Sequence, residues 1–312
     1  MCIFIFTNME AALLMEKIFL VGNPCSGKKK LKKNLLDIVT VLSNAGYDVT
    51  VYPTKSRGDA TVAVKALSNE YSIIVCCGGD GTLNEVIEGM MHNENSYKLA
   101  YIPAGTLNEW SSSLHISRKI GEAARDIPTG KTITLDIGRF GEHFFTYTAS
   151  FGAFTDASYA TSQKVKNVLG HAAYILHGAK SLAKIKSYKL TITHDEETIS
   201  GKFIFGAVTN SFSCGGIIKY DENQVELNDG LFEVLLIRRP ARGGRLRHMV
   251  SGILRKDFSN PAFEFFKTDK LTVTSDEGFS WTLDGEEAKM ESGSLTIENL
   301  HSAISFFVPS NK

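Results

Sequence analysis

Cysteine is scarce in this chain and lacks any useful spacing. Cys2, Cys25, Cys76, Cys77 and Cys214 are odd in number and show no metal-ligand pattern, which excludes a disulfide framework or a cysteine-zinc site as the organising feature. A reducing cytoplasm is the default setting. An excess of either charge is also missing, since 34 basic residues face 34 acidic ones. Nothing global therefore attracts nucleic acid, and none is expected as a partner. Long apolar runs are absent as well. The opening stretch from Met1 to Leu14 is apolar but too short to span a bilayer. It has no basic segment before it and contains Glu10, so it makes a poor secretory signal; Met15, followed directly by Glu16-Lys17-Ile18, is the expected start of translation. No proline-rich linker, internal repeat or low-complexity tract divides the 312 residues, and the histidines form no base-nucleophile order. A P-loop is missed by one residue. Gly22 to Lys29 reads G-x-x-x-x-G-K-K, with Lys29 where Ser or Thr should hold magnesium.

What the chain does have is one dense stretch, Val75-Cys-Cys-Gly-Gly-Asp-Gly-Thr-Leu-Asn-Glu-Val86. Ser72 to Cys77 reads as a buried strand, whereas Leu83, Val86, Ile87, Met90 and Met91 recur with the helical period, so a strand gives way to an amphipathic helix. In the turn between them, Gly78 to Gly81, glycine lets backbone approach a ligand, and amides at a helix start attract anions. Asp80 would repel a bound phosphate unless a cation intervened, which points to a metal-nucleotide complex. Thr82 and Glu85 can also be read as a T-x-x-E capping box. That alternative accounts for those two residues and not for Gly-Gly-Asp-Gly.

Lys17 to Val21, Val49 to Tyr52 and Leu99 to Ile102 read as further strands. Leu35, Leu36, Val39 and Leu42, then Val62, Ala63, Ala66 and Leu67, then Ile120, Ala123, Ala124 and Ile127 read as helix faces. Such alternation predicts a parallel sheet covered by helices, with ligands beyond the carboxyl ends of its strands. Gly22 to Lys29, Thr54 to Gly58, Gly78 to Gly81 and Pro103 to Glu109 all fall at such ends and should converge on one site. From about residue 130 strands follow strands: Thr132 to Gly138, Phe144 to Ala149, Lys189 to His194, Phe203 to Thr209, Leu231 to Ile237, Leu271 to Thr274 and Leu295 to Ile297. Two helices interrupt them, roughly Lys164 to Ile185 and a segment holding Leu246, Met249, Val250, Ile253 and Leu254 among Arg238, Arg239, Arg242, Arg245, Arg247 and Arg255. Core packing with a solvated basic face is the plainer reading. Clustered arginine also attracts anionic lipid, by ~1 kcal/mol per basic residue near the surface. Asp136, Asp229, Asp284 and Glu286 are further acids near glycine, where Asp-Gly pairs usually make turns.

Taken together, Asn23-Pro-x-Ser-Gly27, Thr54 with Gly58-Asp59-Ala60, Gly78-Gly-Asp-Gly-Thr-Leu-Asn-Glu85, Gly105-Thr-x-Asn108, Asp136-Ile-Gly138, Asn228-Asp-Gly-Leu-Phe232 and Asp284-Gly-Glu286 resemble the diacylglycerol-kinase catalytic superfamily, within it the soluble bacterial lipid kinases. The ordered set covers nearly the whole chain; Gly-Gly-Asp-Gly-Thr alone is shared with NAD kinases. The resemblance implies an α/β plus β architecture. Residues 15–130 would form an α/β nucleotide domain like that of phosphofructokinases and NAD kinases, and residues 131–312 a β-sandwich whose final strand can return to the first domain.

By the same resemblance, Asn23, Pro24, Cys25, Ser26, Gly27, Thr54, Gly79, Asp80, Gly81, Thr82, Leu83, Asn84, Glu85 and Thr106 would hold ATP. Glu286 would be the general base that deprotonates a lipid alcohol, most simply diacylglycerol, to give phosphatidic acid. Asp80 and Asp136 would serve the nucleotide-magnesium network, and Asp229, with backbone oxygens of Glu226 and Leu231, would hold a second, structural Mg2+. The protein would be cytoplasmic, with peripheral contact at the inner face of the membrane and a homodimer left open. Two departures stand out: Glu109, Trp110, Ser111 and Ser112 follow Gly105-Thr-Leu-Asn108 where the family has Asp and a small-Arg pair, and Asn is missing near Thr146-Tyr147. The competing readings are an NAD-kinase-like enzyme and a catalytically silent lipid- or nucleotide-binding protein.

Overall fold

The computed structural model describes residues 15–28, 30–106, 108–153, 186–214, 218–220, 225–240, 252–253, 255 and 257–310. The expected helix over Lys164 to Ile185 and the arginines at 242, 245 and 247 lie outside them. The chain divides into two units, Met1–Leu135 with Ile304–Lys312, and Asp136–Ala303.

The first unit alternates strand and helix: β1 (Lys17–Gly22), a 3-10 turn (Ser26–Lys28), α1 (Lys30–Asn44), β2 (Asp48–Pro53), α2 (Asp59–Lys65), β3 (Ile73–Gly78), α3 (Asp80–Met91), β4 (Lys98–Pro103), α4 (Glu109–Ser113) and α5 (Ile120–Thr129). The strands run parallel in the order β2-β1-β3-β4. All six residues of β3 are buried, because parallel sheets are covered on both faces and their strands read as unbroken apolar runs.

Helix faces follow the period with three exceptions, Leu36, Val62 and Ala66, all exposed. Ile120, Ala123, Ala124 and Ile127 are buried as expected. In α1, however, Leu31, Ile38 and Leu42 are buried while Leu36 is 78% exposed. Steps of four, three and four residues trace one stripe through Leu31, Leu35, Ile38 and Leu42, and Leu36 is turned about 100° away from it. Val62 is exposed for the same reason, with Ala60 and Val64 carrying the buried face of α2. That helix meets α3 closely: a Cβ at Gly89 would lie 2.7 Å from Val64 Cβ and 2.8 Å from the Thr61 carbonyl oxygen.

Strands β5 (Lys131–Phe140), β6 (His143–Phe145), β7 (Thr148–Gly152), β8 (Tyr188–His194), β9 (Glu197–Thr209), β10 (Ser213–Cys214), β11 (Ile218–Lys219), β12 (Phe232–Arg238), β13 (Phe263–Thr268), β14 (Lys270–Ser275), β15 (Phe279–Leu283), β16 (Glu286–Met290) and β17 (Gly293–Val308) complete the chain. In the second unit the pairing is antiparallel, with β9 bonded to β7, β8 and β12, β14 lying between β8 and β17, and β15 between β7 and β16. The end of β17, at Ser305 and Phe306, pairs parallel with β4 in the first unit. Strand β12 is buried on both faces. Val234 and Leu236 join a core containing Phe151, Phe203, Phe232 and Trp281, whereas Leu235 and Ile237 join one containing Phe205, Tyr220, Ile253 and Phe263. The stretch expected as one strand from Phe144 to Ala149 is broken at Thr146-Tyr147, and β13, β15 and β16 were not expected.

Two helical glycines should respond oppositely to the same change. Gly89→Ala forces α2 and α3 apart and should destabilise by about 1–3 kcal/mol. Gly121→Ala meets only the tip of the Arg125 side chain, at 3.4 Å, and should stabilise by about 0.5–1 kcal/mol because alanine favours a helix. Denaturant unfolding of both variants checks the signs.

Candidate active site

The expected nucleotide loops come together within the first unit, at the carboxyl ends of its parallel strands. After β1, Asn23 accepts the Cys25 amide on Oδ1 at 2.9 Å and its own amide donates to the Cys77 carbonyl. This side-chain turn, with Pro24 inside it, leads into Ser26 and left-handed Gly27. Asn23 Nδ2 also reaches Thr82 Oγ1 at 3.4 Å. After β2, the Thr54 amide donates to the Gly22 carbonyl at 2.9 Å. Asp59 shapes the rest of that loop by accepting from the Tyr52 hydroxyl and the Lys55 amide. The loops after β3 and β4 touch backbone to backbone: a Cβ on Gly105 would stand 2.5 Å from Gly79 Cα. Only glycine fits there. Thr106 is exposed.

The helix after the Gly-Gly-Asp-Gly turn begins at Asp80, with Gly79 as its N-cap and no side chain capping it. The expected capping box of Thr82 and Glu85 does not form. Thr82 and Glu85 stand at the third and sixth helical positions, too far along for that geometry, and Glu85 instead accepts the Gly58 and Ala60 amides at the start of α2, at 2.8 and 3.3 Å. Asp80 acts the same way on the other side, accepting the Asn108 and Glu109 amides at 2.8 and 2.9 Å. Burial holds its carboxyl above the ordinary range against the pull of those amides. Asn108, left-handed at φ 51°, accepts from the Tyr101 hydroxyl and the Gly105 amide. Trp110 is buried and packs 5.2 Å from the Phe306 ring, so this departure serves the core.

Asp136, Glu226, Asp229, Leu231 and Glu286 belong to the second unit. Asp136 is fully buried and accepts three hydrogen bonds, from the Gly230 and Ser302 amides at 2.7 Å and from His301 Nδ1 at 3.1 Å when that nitrogen carries the proton. Its own amide donates to the Leu227 carbonyl, so it ties the 227–231 loop to β17. Asp229 turns Oδ1 toward the Leu231 amide and Oδ2 toward Lys267 Nζ, at 3.0 and 3.1 Å, and Glu226 is exposed. Among the described residues, no group of three or more His, Cys, Asp and Glu side chains is arranged to hold a metal.

Glu286 opens β16 and is exposed, opposite Leu283 across a two-residue turn. Asp284 and Gly285 both have positive φ, 49° and 93°, as a primed hairpin turn requires. What fixes this turn is Asp284. Its buried carboxylate accepts the Thr146, Tyr147 and Thr148 amides at 2.6, 3.0 and 2.9 Å, and the Thr146 hydroxyl at 2.8 Å. Thr146 and Tyr147 thus leave the strand ladder to bind a carboxylate. No periodicity marks Thr146, Tyr101, His301 or Lys267 for these roles.

Residues 17–140 match the diacylglycerol kinase catalytic domain, and residues 149–302 match the YegS C-terminal NAD kinase beta sandwich-like domain. The chain is 31% identical over 300 residues to a diacylglycerol kinase of Staphylococcus saprophyticus, covering 96% of this chain and 97% of that one. A diacylglycerol kinase of Bacillus subtilis is 30% identical, with 96% and 98% covered. A solved diacylglycerol kinase from Bacillus anthracis superposes with a TM-score of 0.73 at 23% identity, over 95% of this chain and 97% of that one, which shows the shared fold. The chain accordingly belongs to the diacylglycerol kinase family. It is a lipid kinase with an N-terminal α/β domain and a C-terminal β-sandwich-like domain, and kinase chemistry makes ATP its phosphoryl donor. No helix among the described residues is long and apolar enough to cross a membrane.

Burial raises the Asp284 carboxyl from its ordinary 3.8 to about 6, outweighing four hydrogen bonds that favour the anion. A folded-state value above the unfolded one means that the native protein binds the extra proton between those pH values. Stability from this group is then fully present below about pH 4 and is lost as pH rises through 6, by on the order of 3 kcal/mol. Asp284→Asn should flatten the dependence while lowering stability throughout. Denaturation curves between pH 4 and 7 measure both slopes.

Proposed function

We propose that this lipid kinase transfers the γ-phosphate of ATP to the hydroxyl of diacylglycerol, giving phosphatidic acid. The observation that carries the reading is the start of α3: no side chain caps it, and the loops after β1, β2 and β4 converge on it. Helix-start amides favour phosphate. Asn23 to Gly27, Thr54, Gly79 to Glu85 and Thr106 would bind the nucleotide there. Phosphoryl transfer depends mainly on positioning and charge neutralisation, so backbone amides, a metal ion and one base suffice. Asp80 supports a role in holding nucleotide-bound Mg2+, because a carboxylate with about four acceptor positions keeps capacity after receiving two amides. Asp136 accepts three bonds already, so its part is to position the 227–231 loop and add negative charge. Mg2+ supplies charge neutralisation on the phosphates when bound.

In the transfer itself Glu286 takes the proton of the lipid hydroxyl and the freed oxygen bonds to the γ-phosphorus. The bond from that phosphorus to the β-γ bridging oxygen breaks, and ADP leaves. The Asp284 clamp gives Glu286 a fixed origin. Peripheral contact with an anionic membrane would bring such a substrate within reach.

Glu286→Gln keeps shape and hydrogen-bonding capacity but greatly weakens proton acceptance, and should lower kcat by about 10²–10⁴-fold with ATP binding unchanged. Single-turnover phosphorylation of diacylglycerol in mixed micelles, run beside an ATP titration, reads both quantities. If Leu283-Asp-Gly-Glu286 is a hairpin and nothing more, kcat stays within about threefold.

A further inference from the structure

The loop expected to hold a second magnesium already sets an ammonium against the carboxylate that would bind it. Mg2+ takes near-octahedral oxygen at about 2.0–2.1 Å. Asp229 is the loop's carboxylate at that position, and its Oδ2 is 3.1 Å from the Lys267 ammonium while Oδ1 accepts the Leu231 amide. A divalent ion on Oδ2 would be pressed against a fixed positive charge. The ammonium is held from a second side as well, at 3.1 Å from Glu233 Oε1. Glu233 is only 1% exposed, and neither of its carboxylate oxygens finds a well-directed hydrogen bond. Lys267 is its counter-charge among the described residues. The contact is set by register, since Glu233 of β12 and Lys267 of β13 are direct cross-strand partners, the position where opposite charges favour pairing.

We propose that Lys267 is the resident cation of this site. Its ammonium, tethered to β13, neutralises Asp229 and the buried Glu233 together and stabilises the 227–231 loop without a bound metal. A tethered charge needs no free ion and pays no binding entropy, whereas Mg2+ would stabilise the fold only by mass action. The same loop is the one that Asp136 grips through the Gly230 amide, so the cation site and the Asp136 clamp act on one short segment.

The test uses nucleotide-free full-length protein stripped with chelator, so it does not depend on the proposed substrate. Melting temperature is measured with and without millimolar Mg2+ for the wild type and Asp229→Asn, and Mn2+ binding is followed by electron paramagnetic resonance. The metal-induced shift should be the same in both proteins, with no Mn2+ site lost on substitution. Lys267→Met should melt several degrees lower and gain a Mg2+-dependent rise, because two carboxylates then lack a cation. A Mg2+ shift in the wild type that Asp229→Asn removes by 2 °C or more, or a Mn2+ site that it abolishes, would overturn the proposal. This comparison stands even if Lys267→Met does not fold.

Discussion

Helix α3 holds the nucleotide side of the molecule together through two carboxylates aimed away from itself. Glu85 closes the start of α2 and Asp80 the start of α4, each through two backbone amides. Hydrogen bonds to a charged acceptor contribute about 1.5–3 kcal/mol each, roughly twice a neutral pair. These contacts fix the loops after β2 and β4 relative to the turn after β3. The N-cap of α3 is Gly79, which makes no side-chain cap hydrogen bond, and under the proposed function phosphate would meet backbone amides there. Neighbouring helix starts are thus closed by protein carboxylates, and under the proposed function this one would receive the ligand.

The second unit uses the same device for a different end. Asp284 and Asp136 are buried acceptors that each gather three or more donors. A buried charge is tolerated only when so surrounded. The result is two fixed points, the turn before Glu286 and the loop around Asp229. Hydrophobic cores pack on either face of β12, whereas these clamps fix the backbone around Glu286 and Asp229.

The parallel sheet and the loops at the carboxyl ends of its strands were legible because β3 is a continuous apolar run and each strand is punctuated by glycine or proline. The helix of Ile120 and Ile127 was legible from its period. Leu36 and Val62 misled because several apolar residues compete for one stripe, and one step round the helix decides which is buried. The T-x-x-E pattern misled because a capping box depends on where the helix begins, and Gly79 rather than a residue nearer Thr82 sets that point. Strands β15 and β16 escaped notice because Phe279 to Leu283 is short and Glu286 to Met290 is largely charged. Contacts between distant residues, such as Asp284 with Thr146 or Lys267 with Asp229, leave no local trace. The motif order identified the family without them.

Phosphorylation of a lipid alcohol by this chain is measured most directly by incubation with γ-labelled ATP and a panel of lipids in mixed micelles, with NAD as control. Label should enter diacylglycerol and appear as phosphatidic acid, with NAD unlabelled. Label in NAD, or in no acceptor, would contradict the account.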